Sequence, residues 1–166
     1  AFEDTNNGCI YTDLLWKDDT LRVYNAHLQS IYLGADDLRY LNKFYQNGVN
    51  RVKITGIYKK LRVAFHKRAL QIDKLVEHAV ASPYPVVICG DFNDTPFSYT
   101  YRQLSSHFDD AYVHAGRGLG ITLPRRSFPL RIDYIFYSDD FRASHSEVLP
   151  QKFSDHRPLQ ARLGME

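Results

Sequence analysis

Runs of apolar residues along the chain predict a mixture of strands and helices. The expected strands have alternating or continuous apolar positions, and they cover residues 11–18, 20–28, 85–89, 131–138, 141–149 and 157–163. The expected helices have apolar residues at steps of three and four or follow a Pro-containing turn, and they cover residues 36–46, 61–79 and 98–106. A helix between the second and third strands favours an α/β or α+β fold.

Short polar segments predict how neighbouring strands are connected. Residues 17–19 predict a hairpin of the first two strands, and residues 138–140 predict that the strands on either side of them also pair. The continuous apolar run at residues 85–89 predicts a central strand that is covered on both faces. Residues 116–129 are rich in Gly, Pro and Arg, which predicts a loop.

The longest helical pattern separates an apolar stripe from a basic face. The stripe is formed by residues at steps of three and four: Leu61, Phe65, Ala69, Ile72, Val76 and Ala79. The basic residues fall largely off it: Lys59, Lys60, Arg62, Lys67 and Lys74. A basic helix face is usually only solvated, and contact with nucleic acid is the alternative interpretation.

Composition excludes a disordered chain and gives no strong electrostatic signal. The 166 residues are 44% hydrophobic and carry a net charge of +2, which fits one globular domain. We interpret Cys9 and Cys89 as inert free thiols, because their spacing matches no metal or redox motif. We recognise no signal peptide and no bilayer-length apolar run. Residue 1 is Ala, and we expect the chain to be a piece of something longer.

Polar residues follow the apolar run at residues 85–89. Asp91 and Asn93 come directly after Gly90, and the carboxyl ends of strands are where α/β proteins bind ligands. The two side chains point to the same side if the strand continues, so they could hold a water molecule and contact an anionic oxygen. The alternative is an ordinary turn, since Asp, Asn and Pro often end strands.

Three further residues add candidate chemistry. Asp133 lies inside an expected strand, where an acid needs a partner, either a histidine or a nearby arginine. His156 follows Asp155 just before the last strand, and His27 lies near the end of the second strand. A site of Asp, Asn and His suits Mg²⁺ or Mn²⁺ and water attack on phosphorus. The sequence has no G-x-S-x-G elbow and no P-loop motif, so it does not favour a serine triad or a P-loop site.

The order of four short motifs resembles the endonuclease/exonuclease/phosphatase superfamily. The motifs are N-x-H-L at residues 25–28, GDFN at 90–93, RIDYIF at 131–136 and SDHRPL at 154–159. The resemblance implies a metal-dependent phosphoester hydrolase with a pancreatic-deoxyribonuclease-like fold. The whole domain is then a four-layered αββα sandwich, of which this chain would supply mainly one mixed β-sheet with helices on its outer face.

The resemblance also implies a role for each matching residue. Asp91 would orient or deprotonate the attacking water, and Asn93 would contact the phosphate. His156 would stabilise the phosphoryl transition state, oriented by Asp133, and Asp155 would bind Mg²⁺ or Mn²⁺. The remaining implied residues have smaller parts: His27 as a second phosphate contact or leaving-group acid, Asn25 with no chemical step, and Arg68 and Gln71 in packing.

The chain departs from the family pattern at its start. Family members carry an Asn and a metal-binding Glu upstream of the histidine strand, and neither motif can be placed before residue 20. We therefore expect residues 1–166 to be a partial domain whose N-terminal portion is missing and which is inactive alone. The inner sheet face would then be exposed, and a homodimer would bury it.

The substrate class stays open. The implied phosphoester substrate is a nucleic acid, a phospholipid or a small phosphate ester, and arginines in the loop 116–129 are expected to contact it: Arg117, Arg125 and Arg126. The alternative function is a catalytically incomplete module that only folds or self-associates.

Overall fold

The computed structural model describes residues 2, 5–42, 50–125 and 128–165, which form short helices, one long helix and several strands. The strands in chain order are β1 Gly8–Trp16, β2 Asp19–His27, β3 Val86–Asp91, β4 Asp109–Asp110, β5 Leu123–Pro124, β6 Pro129–Leu130, β7 Asp133–Tyr137, β8 Phe141–Val148 and β9 Leu159–Met165. The helices are α1 Ala35–Asn42, α2 Arg51–Val80, α3 Tyr99–Ser105 and α4 Ala111–Ala115.

The main sheet has the strand order β1-β2-β3-β7-β4 within the described residues. Strands β2 and β3 are parallel, whereas the other neighbouring pairs are antiparallel. The parallel pair requires a crossover connection, and α1 and α2 lie within it. The mixed α/β fold predicted from the sequence is confirmed.

A large apolar core joins α2 to one face of the main sheet. The strands contribute Tyr24 and Ala26 from β2 and Ile88 from β3, and α2 contributes Ile72 and Leu75. Alternate residues of a strand point to opposite faces, so Asn25, which lies between Tyr24 and Ala26 in β2, points to the other side of the sheet. This side, opposite to α2, is called the inner face below.

The hairpin β8–β9 covers part of the inner face. Leu21, Val87 and Ile135 of the main sheet pack in a second cluster with residues of the hairpin such as Ala161 and Leu163. The hairpin forms its own two-stranded sheet, and its register shifts between Ala143 and His145. The prediction that residues 131–138 and 141–149 pair is therefore wrong: β7 pairs with β3 and β4, and β8 pairs with β9.

The end of the inner face formed by β1 stays exposed. Ile10 is 72% exposed and Trp16 is 59% exposed, and both lie on the side of β1 opposite to Cys9, which packs against the helix-side core. Strand β3 is buried at Val86 and Ile88 but only half-buried at Val87 and Cys89. The inner side of this strand is therefore covered only in part, by the hairpin at Val87, so the prediction of a strand covered on both faces holds only in part on this side.

The long helix begins earlier and buries different residues than predicted. It starts at Arg51, and the side chain of Asn50 caps it by accepting from the Lys53 amide. Phe65 of the predicted stripe is exposed, whereas Arg68 is fully buried. No described helix is long and apolar enough to cross a membrane.

Candidate active site

Strand register brings three of the predicted site residues side by side. His27 on β2 is the pairing partner of Asp91 on β3, and Asp91 is the partner of Asp133 on β7. Residues that pair across neighbouring strands point to the same face of the sheet. The three side chains therefore form a row at the carboxyl end of β2 and β3, where His27 Nε2 lies 3.9 Å from Asp91 Oδ2.

His156 closes this row from the segment that precedes β9. Its Nδ1 lies 2.9 Å from Asp133 Oδ2, and its Nε2 lies 4.0 Å from Asp91 Oδ2. A carboxylate can only accept a hydrogen bond, so the Nδ1 position carries the proton and Nε2 faces Asp91. The imidazole thus spans the space between the two acids with a fixed ring orientation.

Asn93 lies in a tight turn directly after β3. Its backbone has φ 51, a left-handed conformation that Asn adopts more readily than most residues. The Asn93 amide N–H donates to Asp91 Oδ1 at 2.8 Å, and its Nδ2 donates to the Leu28 carbonyl at 3.0 Å. The segment is therefore a turn, and this turn places the Asn93 backbone N–H beside the Asp91 carboxylate.

Gly90 allows β3 to lie close to β2 at the site. Its φ of 145 is one that side-chain-bearing residues rarely adopt, and a Cβ there would lie 1.9 Å from the Ala26 carbonyl oxygen. The backbone immediately before Asp91 therefore requires glycine.

Burial and charge together disfavour the ionised form of Asp91. Its pKa is raised above the ordinary value chiefly by burial and further by the Asp133 carboxylate. The Asn93 N–H and the two histidines oppose this rise. A carboxyl group held in this way between an acid and an imidazole is typical of groups that take part in proton transfer.

Two residues that the sequence patterns did not reveal, Thr122 and Ser30, support the row through separate hydrogen bonds. Thr122 is fully buried, and its Oγ1 accepts from the Ile132 and Asp133 amides at 3.2 Å each. Ser30 Oγ accepts from Asn93 Nδ2 at 3.2 Å. Neither residue belongs to an apolar or motif pattern, so only the tertiary fold identifies them.

Arg68 and Gln71 anchor the segment that follows β2. Arg68 Nη1 donates to the Gln29 carbonyl at 3.0 Å, and Gln71 Oε1 accepts from the Gln29 amide at 2.8 Å. Arg68 Nε also lies 3.2 Å from Asp94 Oδ2. These contacts fit the packing role expected for both residues. They hold Gln29, which follows a residue that Asn93 contacts, and Asp94, which follows Asn93 itself.

Asp155 lies apart from the row of acids. Its side chain is 70% exposed, and its Oδ2 lies 3.7 Å from Arg125 Nη2. Arg117, also expected to contact substrate, is exposed in the loop after α4, and Arg126 lies outside the described residues. The described part of the chain therefore brings together Asp91, Asn93, Asp133, His156 and His27, but it does not bring Asp155 to them.

A sequence model of the Endonuclease/Exonuclease/phosphatase family matches residues 14–156. The chain belongs to this family. The match spans all the residues of the site just described, and the family resemblance of the four motifs is confirmed. A search of curated proteins found no significant match.

Several solved structures share the fold of this chain. A functionally unknown conserved protein from Enterococcus faecalis has a TM-score of 0.65 and 18% identity, over 95% of this chain and 56% of that one. The human Nocturnin catalytic domain with bound sulfate has a TM-score of 0.62 and 20% identity, over 98% of this chain and 54% of that domain. A Bacteroides thetaiotaomicron mannosyl-6-phosphatase has a TM-score of 0.61 and 19% identity, over 96% of this chain and 57% of that enzyme. The chain thus spans just over half the length of these relatives.

The acids and the imidazole of the row form a group that fits a divalent cation. One ligand atom each from Asp91, Asp133 and His156 lies within 4.8 Å of the others. Two carboxylates and one imidazole suit a hard or borderline divalent ion, in agreement with the metals that enzymes of this family commonly use.

Proposed function

We propose that the protein is a metal-dependent phosphoester hydrolase whose reaction takes place at Asp91, Asn93, Asp133 and His156. The observation that carries the proposal is the contact of His156 Nδ1 with Asp133 at 2.9 Å, which leaves Nε2 directed toward Asp91. An imidazole oriented by one carboxylate and facing another is the arrangement that general acid–base and charge-stabilising chemistry requires.

Each residue has a part that its position supports. Asp91 orients the attacking water and accepts its proton, because its carboxylate is held by the Asn93 N–H and faces the open inner side. Asn93 contacts a phosphate oxygen. His156, in the form that carries a proton on both nitrogens, donates from Nε2 to the phosphoryl oxygens as negative charge builds up on them, and Asp133 accepts from Nδ1 and fixes the ring. His27, half-exposed at the end of the row, is a second phosphate contact or the acid for the leaving group.

The metal is Mg²⁺ or Mn²⁺ in this proposal. In this proposal the carboxylates of Asp91 and Asp133 could hold it, because His156 Nε2 is used for the phosphate, and Asp155 is the further ligand implied by the resemblance. A bound divalent ion would neutralise negative charge on the phosphate. A phosphoester of a nucleic acid, a phospholipid or a small molecule fits this chemistry.

The experiment is Mg²⁺-dependent release of p-nitrophenolate from bis-p-nitrophenyl phosphate. We expect activity in the longest natural form of the protein, loss of activity on chelation, and loss in Asp91→Ala. Metal-independent turnover, or full activity of Asp91→Ala, would contradict the proposal. We also expect the 166-residue chain alone to be inactive, which fits our proposal that residues 1–166 are a partial domain with its N-terminal portion missing. The chain covers only 54–57% of the length of the three structures compared above, which supports the proposal of a partial domain.

A second candidate function is self-association, which the exposed inner face of β1 favours. Ile10 and Trp16 lie exposed on this face, and apolar surface left in water costs roughly 25 cal/mol per Å². We propose that, in the 166-residue chain on its own, a second copy covers this surface as a homodimer. Light scattering at micromolar concentration should give a dimer that Trp16→Lys converts to monomer, whereas a monomeric wild-type chain would contradict the homodimer.

A further inference from the structure

A cavity of about 650 Å³ lies between α4, the loop that follows α4, and strand β8. This volume lies within the range of about 300–1,000 Å³ that small-molecule sites occupy. The described residues that the proposed reaction uses do not line it, so the cavity is separate from the reaction site. Two arginines line it, Arg117 from the loop and Arg157 from the segment before β9, and it is called the arginine cavity below.

Neither guanidinium group of the arginine cavity has a partner among the described residues. Arg157 Nε is shut off from solvent and makes no hydrogen bond, and Arg117 takes part in a contact only through its backbone carbonyl, which accepts from Tyr112. Arg68 and Arg131 also have buried N–H groups without an acceptor, but each of them lies against a carboxylate. A buried guanidinium without an acceptor is costly, so an anion in the cavity would form hydrogen bonds that the described chain leaves open.

Strand β8 contributes hydrogen-bond acceptors to the same wall. Glu147 Oε1 lies 3.3 Å from His145 Nε2, and both of these side chains are about half-exposed. The hydroxyl groups of Ser144 and Ser146 donate to backbone carbonyls of β9, so toward the cavity they can only accept. The wall therefore offers donors that suit an oxyanion and acceptors that suit the hydroxyl groups of a ligand.

Hydrogen bonds join the wall of the arginine cavity to the row of acids. The Arg157 amide donates to the Thr122 carbonyl at 2.7 Å, and Thr122 Oγ1 accepts from the Asp133 amide at 3.2 Å. His156 directly precedes Arg157, and Ile121, which lines the cavity, directly precedes Thr122. A ligand that holds Arg157 therefore acts on the backbone beside both members of the contact between His156 and Asp133.

We propose that the arginine cavity binds a small organic oxyanion that carries hydroxyl groups, at a site separate from that of the substrate. The oxyanion, a carboxylate or a phosphate, pairs with Arg117 and Arg157, and the hydroxyl groups donate to Glu147. A lone phosphate ion would leave most of the volume of about 650 Å³ unfilled, which favours an organic molecule. The bound ligand also fixes the segment that carries His156. Neither part of the proposal depends on which reaction takes place at the row of acids.

The test measures binding without turnover, in the longest natural form of the protein after removal of bound metal. The probes are gluconate and hydroxymethylphosphonate, titrated while ¹H–¹³C spectra follow the ring of His145. We expect Arg117→Gln combined with Arg157→Gln to weaken binding of both probes at least about tenfold. The matched control combines Arg62→Gln with Arg102→Gln, two exposed arginines of other helices, with an expected change below about twofold. No saturable shift of the ring in the wild-type protein, or similar affinities of the two double variants, would overturn the proposal.

The role of Glu147 is tested with a ligand that lacks hydroxyl groups. Glu147→Gln should weaken binding of gluconate at least about threefold but should not weaken binding of hexanoate, a carboxylate without hydroxyl groups. Equal effects on the two ligands would overturn the contact between hydroxyl groups and Glu147. Tighter binding of gluconate than of hydroxymethylphosphonate supports a carboxylate as the natural oxyanion, and the reverse order supports a phosphate.

The link to the row of acids has its own measurement. The ring signals of His156 should shift with the same dissociation constant as those of His145, and unchanged His156 signals at saturation would overturn the link. Thermal unfolding shows whether each variant is folded. Arg117 lies in an exposed loop, so Arg117→Gln alone should fold and should weaken both probes at least about threefold, even where the double variant does not fold. Unchanged affinity of the folded single variant would overturn the role of Arg117.

Discussion

The imidazole Nδ1 of His156 lies 2.9 Å from Asp133 Oδ2, although the two residues are 23 positions apart in the chain. The contact joins the middle of the main sheet to the segment before β9, because Asp133 begins β7 and the hairpin β8–β9 turns back over the inner face. The proposed site is therefore formed only when the hairpin is packed on the sheet.

Replacing Asp133 tests whether this contact orients the imidazole. Asp133→Asn keeps the size of the side chain but removes its charge, and we expect kcat to fall by about 10- to 100-fold while KM changes little. Long-range ¹H–¹⁵N spectra of the imidazole should show loss of the single Nδ1–H tautomer of His156. An unchanged tautomer with unchanged kcat would show that Asp133 is only structural.

Asp91 should lower the stability of the fold at neutral pH. Burial raises the pKa of Asp91 in the folded state, so between the unfolded and folded pKa values the native state binds more protons. Stability from this group is therefore present below the unfolded pKa and is lost as pH rises through the folded pKa. We expect Asp91→Asn, without metal, to raise the denaturant midpoint at pH 7 but not at pH 3.

The control for this prediction is Asp18→Asn in the exposed turn between β1 and β2. It should leave the midpoint at pH 7 within error of wild type. A lower midpoint for Asp91→Asn than for wild type at pH 7 would show that the ionised carboxylate stabilises the fold instead.

The ion pair of Arg68 and Asp94 should contribute strongly to folding. Arg68 is 0% exposed, and burial lowers its pKa while the Asp94 carboxylate opposes this effect. Asp94→Ala leaves the buried guanidinium without its carboxylate, and we expect a loss of about 3–5 kcal/mol of unfolding free energy. Arg68→Met added to Asp94→Ala should recover part of that loss, and the exposed Asp73→Ala should cost less than about 1 kcal/mol. Additive losses in the double variant would contradict the pairing.

Gly90 should tolerate no side chain. Gly90→Ala places a Cβ against the Ala26 carbonyl in a left-handed backbone, and we expect a loss of more than about 3 kcal/mol, measured by urea unfolding. Gly56→Ala in α2 is the matched control, since a Cβ there meets nothing within 4 Å. It should stabilise the helix by about 0.5–1 kcal/mol. Equal effects of the two changes would mean that β2 and β3 adjust to a Cβ at residue 90.

The sequence predicted that Asp91, Asp133 and His156 lie close together, but it did not predict the pairing of every strand. Asp91, Asp133 and His156 could be brought together because each is a polar residue at a strand end or in a strand, and because the order of their motifs resembles a family. The partner of β8 could not be predicted from residues 138–140, since a short polar turn also fits a connection between two different sheets. Here the edge of β7 is already paired with β4, so β8 continues into the hairpin with β9.

The start and the buried face of the long helix α2 also differ from what the apolar pattern predicts. Its first turns carry Lys53, Gly56 and Lys60, which hide the apolar period, so the start at Arg51 was missed. Its buried face contains Arg68, which an apolar stripe cannot include. The stripe predicts that Phe65 is buried, but Phe65 is exposed. The family resemblance implied a packing role for Arg68, but its partner Asp94 lies 26 residues away along the chain, so the apolar pattern could not predict this ion pair.

The central claim is that His156 stabilises charge on the phosphoryl group at a site shared with Asp91 and Asp133. The measurement that tests it most directly is kcat for bis-p-nitrophenyl phosphate in His156→Ala, in the longest natural form of the protein and with saturating Mg²⁺. His66→Ala, an exposed histidine of α2, is the matched control and should leave kcat unchanged. The account predicts a fall of more than about a hundredfold for His156→Ala, and a fall of less than about threefold would contradict it.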